Sequence, residues 1–141
     1  MHLRFVALGL ALSLCAAAQN SLTFKTRLAP VAIDAAMKKD AAGLGSATAV
    51  LSGTKLSVSG TFEGLKSNAT MAHIHQGIAT GVHGPKLLDL TVPKAMSGEL
   101  SGSFDLTPEQ LDALKKGKWY VQIHSEKAPA GNLWGWLLLP R

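Results

Sequence analysis

Short runs of alternating apolar and polar residues dominate the chain. They fall at 22–28, 46–51, 54–62, 70–76, 87–91, 98–106, 118–124 and 132–139, with the period of two that half-buried β-strands show. Clusters of Gly, Ser, Asn and Pro separate most of them, so the strands are expected to pair antiparallel. The pattern predicts an all-β fold, an antiparallel Greek-key-like β-sandwich of about eight strands with one short crossover helix. That helix is expected at 107–117. Thr107 can cap it, Pro108 suits its first position, Gln110 can reach back to the cap, and Gly117 suits a left-handed exit. Leu111 and Leu114 would then face the core. The pattern lapses between residues 29 and 45, where Pro30, several alanines, Lys38-Lys39-Asp40, Gly43 and Gly45 read as a loop with one helical turn. The Gly-Leu-Gly there does not join a strand to a helix, as a phosphate-binding turn would.

The first residues follow another logic. His2 and Arg4 give a basic start, residues 5–14 are mostly apolar, and Ala16-Ala17-Ala18 is a small-residue cleavage pattern. A signal peptide over 1–18, with cleavage before Gln19, predicts a secreted or periplasmic product whose single domain spans 19–141. The apolar run is shorter than the roughly 20 residues a spanning helix needs. Lipid anchoring at Cys15 is the lesser alternative, since bulky Leu14 stands where a small residue is expected. Cys15 is the only cysteine, so the exported domain would depend on its core, or on a bound ion, rather than on disulfides.

A net charge of +5 with histidine neutral changes the picture little. Its densest cluster, Lys115, Lys116 and Lys118, sits where cations suit the negative end of the predicted helix. No basic run is interleaved with aromatics, so nucleic acid is not an expected partner.

Histidines carry the candidate chemistry. In an extended strand, positions i and i+2 share a face about 6.6 Å apart, so His73 and His75 could reach one ion. Met71 falls on the same face. Alternation over 118–124 groups Tyr120, Gln122 and His124 opposite Trp119, Val121 and Ile123. His73, His75 and His124, with His83 as a further candidate, form a possible copper or zinc site, because imidazole serves both metals. Met71 could add a thioether, but core packing is its expected role. Buried imidazoles that hydrogen-bond loop carbonyls would be the purely structural alternative. Trp134 and Trp136 share a strand face, and a core role for them, with Leu133 and Leu137 alongside, is expected over a ligand surface. No Gly-x-Ser-x-Gly occurs, and Ser125 falls opposite His124 on its strand, so no nucleophile–base pair is indicated. Asp89, Asp105, Asp112 and Glu99 read as turn, cap or surface carboxylates.

Several motifs together resemble the CHRD domain, a family named for its repeats in the growth-factor antagonist chordin and also found singly in exported bacterial proteins. They are Phe62-Glu63-Gly64-Leu65, Ala72-His73-Ile74-His75-Gln76-Gly77, Gly84-Pro85, Leu106-Thr107-Pro108-Glu109-Gln110-Leu111, Trp119-Tyr120-Val121-Gln122-Ile123-His124-Ser125, and Pro129-Ala130-Gly131-Asn132-Leu133-Trp134-Gly135. The family's early Glu-x-Pro-Pro-like segment is replaced by residues 29–45, and His83 stands where Asn is more usual. The resemblance therefore carries over His73, His75 and His124, while His83 rests on its own chemistry. It implies a sandwich fold and a binding protein, non-catalytic, with either a histidine metal site or a protein partner. A more distant likeness, to copper/zinc superoxide dismutase, implies a metal site and, as a third alternative, a metalloenzyme.

Overall fold

A computed structural model describes residues 20–31 and 34–141. The expected signal peptide, Cys15 included, lies outside them. Eight strands form, as the alternation predicts: β1 (Ser21–Leu28), β2 (Leu44–Ser52), β3 (Lys55–Glu63), β4 (Ala69–Gln76), β5 (Lys86–Leu90), β6 (Gly98–Asp105), β7 (Trp119–Ser125) and β8 (Leu133–Trp136). They build two four-stranded antiparallel sheets, ordered β1-β2-β3-β6 and β5-β4-β7-β8. The chain crosses from the first sheet to the second after β3, returns for β6, and crosses again through a helix.

Two short helices accompany the sheets. The first, α1 (Ala35–Asp40), is the helical turn expected within 29–45, and Asp34 caps it by accepting from the Met37 N–H at 2.9 Å. The crossover helix is α2 (Pro108–Lys115). The Thr107 hydroxyl accepts from Gln110 N–H at 3.2 Å while the Gln110 side chain accepts from Thr107 N–H at 2.9 Å, so both ends of the capping box close. Gly117, at φ +70°, provides the left-handed exit, and Leu114 plugs the helix into the core.

Inward residues of both sheets form one core. Phe24, Leu56 and Leu100 meet Ile74, Trp119, Ile123 and Leu133, all fully or almost fully buried. Each such side chain contributes roughly 1.5–3 kcal/mol of burial. Both seams between the sheets are stitched by backbone bonds: Ala29 and Trp134 exchange two (3.1 and 2.9 Å), and so do Thr91 and Ser101 (2.8 and 3.0 Å). Edge strands are thereby shielded from pairing with other chains.

Two irregularities in β4 bear on function. Ala69 pairs with Ser125 and Met71 with His124, so Thr70 is an extra residue bulged out of the register with β7. A second shift, between Ile74 and His75, occurs against β5. The first bulge lets Ala69 stay buried while Met71, His73 and His75 all point away from the core. Strict alternation from Ala69 would have turned all three inward.

Two expectations need correcting here. Met71 does not pack in the core; it is 49% exposed on the outer face. Trp134 and Trp136 lie outside the core between the sheets, although Trp134 is itself buried. Alternation along β8 sends Leu133 into the core and both tryptophans to the outer face, where they stand opposite Gln122 and Tyr120 of β7. Only Trp119 of the three tryptophans joins the core cluster.

Candidate metal centre

The outer face of the second sheet carries the histidines. Met71, His73 and His75 come from β4, and Tyr120, Gln122 and His124 from β7 beside it, with His73 opposite Gln122 and His75 opposite Tyr120. Ring centroids of His73 and His124 lie 5.1 Å apart, those of His73 and His75 5.7 Å, and those of His75 and His124 6.3 Å. One ligand atom from each of the three falls within 4.8 Å of the others.

Each ring is oriented from its far side by an oxygen. His75 Nδ1 lies 3.0 Å from the Gly84 carbonyl and His124 Nδ1 2.8 Å from the Pro129 carbonyl. A carbonyl can only accept, so both Nδ1 atoms carry protons and both Nε2 atoms present lone pairs. His73 is turned the other way, with Nε2 3.4 Å from an Asp89 carboxylate oxygen, which leaves the Nδ1 lone pair free in the neutral ring. The remaining nitrogens, His73 Nδ1, His75 Nε2 and His124 Nε2, are buried and have no hydrogen-bond partner among the described residues. Three unsatisfied acceptors in one cluster lack any donor, and a cation is the group that would satisfy them together.

Electrostatics keep two of these rings neutral. Burial is the main reason the His73 pKa lies below the usual histidine value, with His124, Lys86 and His75 adding to it and Asp89 opposing. Burial lowers His75 likewise, against the bond to Gly84. Neutral imidazole is the form that binds metal. The donor set, three nitrogens and no carboxylate, suits copper or zinc rather than calcium or magnesium.

A loop over residues 77–85 closes one side of the site. The Tyr120 hydroxyl donates to the Gly84 carbonyl at 2.9 Å and accepts from the Gly84 N–H at 3.1 Å. Its ring stacks on His75, centroids 5.0 Å apart. A Cβ at residue 84 would run into the Gln76 carbonyl, which is why glycine stands there. His83 lies in this loop but outside the cluster of three, stacked on Trp134 at 4.4 Å and tilted on Tyr120 at 5.5 Å. On the other side Gln122 donates to the Ala130 carbonyl at 2.8 Å, steadying the turn that presents Pro129.

The outer partners were the hardest residues to foresee. Asp89 read as a surface carboxylate, and it does accept from Lys86 at 2.9 Å, yet its other role is to face His73. Gly84 and Pro129 act through backbone carbonyls, which leave no side-chain signature. Ser125 is fully buried and accepts from Asn132 at 2.8 Å, so it is a structural residue facing away from His124.

Comparison with known proteins gives one result and two blanks. Neither curated proteins nor solved structures yield a match. A family model describing the CHRD domain matches residues 20–137, nearly all the described chain and every strand of both sheets. This protein therefore belongs to the CHRD domain family.

Proposed function

We propose that this protein is an exported, non-catalytic binding protein that holds a copper or zinc ion through His73, His75 and His124. The observation that carries this reading is the clustering of three buried imidazole lone pairs, each on a ring oriented by an oxygen at its other nitrogen. Outer-shell bonds of this kind are usual around metal-bound histidine. His83 serves instead as a wall of the site, packed on Trp134. Export rests on the basic, apolar and small-residue pattern of residues 1–18.

Metal analysis of protein purified without a histidine tag tests the reading, together with copper and zinc titrations of the wild type and of His73→Ala. One ion per chain is expected, with affinity lowered at least about 100-fold in the variant, the upper end of what losing an outer-shell partner costs. A wild type that takes up neither metal, or a variant that binds as well as the wild type, would sink it.

A second reading has its own support, because His75 and His124 each tie a loop carbonyl to a strand. The sandwich would then be a protein-interaction module with structural histidines. It predicts that His124→Ala lowers the melting temperature of metal-free protein and that the wild type binds no metal. The metalloenzyme alternative would call for a second, zinc-type group of His and Asp ligands, and the described residues contain no such second group.

A further inference from the structure

We propose that Met71 is the fourth ligand of this centre and that the ion it selects is copper(I), held by three imidazoles and a thioether. The proposal rests on the metal-binding reading above and adds to it a ligand, a metal and an oxidation state.

Placement is the first argument. Met71 is the direct cross-strand partner of His124 and stands two residues before His73 on the same face. Side chains of directly opposed residues on one face begin about 4.5–5.5 Å apart. Met71 and His73 also line the same shallow hollow beside Lys86 and Asp89. The side chain has three rotatable bonds, and at 49% exposure it is free to turn its sulfur toward the imidazoles.

Exposure is the second argument. Burying a methionine side chain is favourable, and Ala69, two positions earlier, is fully buried. The bulge at Thr70 nevertheless brings Met71 out beside the histidines. A ligand role accounts for that placement where packing does not.

Donor chemistry is the third. A thioether is a soft ligand that favours copper(I) over zinc. All four donors would be uncharged. Binding is a ligand exchange without electron transfer, so no oxidant or reductant is needed.

Anaerobic competition between the full-length protein and a chromophoric copper(I) chelator provides the test, run for wild type, Met71→Leu and His73→Ala beside zinc titrations of the same three. Leucine keeps the bulk at an exposed position, so folding is preserved. Met71→Leu is expected to weaken copper(I) about tenfold or more while changing zinc less than about twofold. A copper–sulfur path in the X-ray absorption spectrum should be present in the wild type and absent from the variant. Unchanged copper(I) affinity in Met71→Leu, or the absence of that path from the wild type, overturns the proposal while a loss in His73→Ala leaves the metal site standing. No loss in His73→Ala overturns both.

Discussion

Each imidazole of the cluster has its free nitrogen chosen by the oxygen on the far side of its ring. The Gly84 and Pro129 carbonyls choose Nε2 of His75 and His124, and the Asp89 carboxylate chooses Nδ1 of His73. The cluster therefore pays a cost in acid. His73 and His75 have native pKa values below those of the unfolded chain, chiefly through burial. From about pH 6.5 downward the unfolded chain binds more protons than the native one, so native stability declines as pH falls through that window. Thermal melts of metal-free protein are expected to be flat from about pH 8 to 7 and to fall below about pH 6.5. The fall should be shallower in His73→Gln, and a melting temperature independent of pH down to about 5 would contradict the burial of these rings.

At the level of elements, the loop over 77–85 is an extension of the site, latched beside the histidines by the Tyr120 hydroxyl and farther off by the bond from Thr80 to the Gly117 carbonyl. Tyr120 both donates to and accepts from Gly84, and the same Gly84 carbonyl orients His75. Tyr120→Phe keeps the ring stack and deletes the latch beside the histidines. It is expected to destabilise metal-free protein by about 1–3 kcal/mol, because Gly84 N–H loses its partner. Metal affinity should fall by roughly tenfold as His75 loosens. Urea melts and a metal titration of the variant check both, and wild-type affinity would show that the latch does not orient the ligand. The elements themselves were legible from period-two alternation, the Thr107–Gln110 capping box and glycine-marked turns. His73, His75 and His124 were legible as a shared face for the same reason. Alternation over 70–76 puts Met71 on the face of His73 and His75, where it stands; its expected core role was wrong because methionine is a common gap filler, whereas that face is the outer one. Trp134 and Trp136 were misassigned to the core because large aromatics suggest it; Trp134 is buried, but the alternation through Leu133 and Gly135 puts both on the outer face.

For the whole molecule, what matters is that the three histidines stand on β4 and β7, the two inner strands of their sheet. Those strands pair over nearly their full lengths, and their opposite faces, through Ile74, Val121 and Ile123, are the core. Local opening in proteins is concentrated at termini and loops, while central strands part only when the whole domain unfolds. The ligands of a bound ion thus cannot be drawn apart piecemeal. An ion would leave by handing its bonds, one at a time, to an incoming ligand at the exposed Met71 side, without any opening of the sheet. Transfer of metal to a small chelator should therefore speed up in proportion to chelator concentration, and a rate that ignores the chelator would point to unfolding instead. A loaded centre of this kind would give up its metal only on demand, holding the ion tightly in isolation and releasing it quickly to a recipient that can touch it.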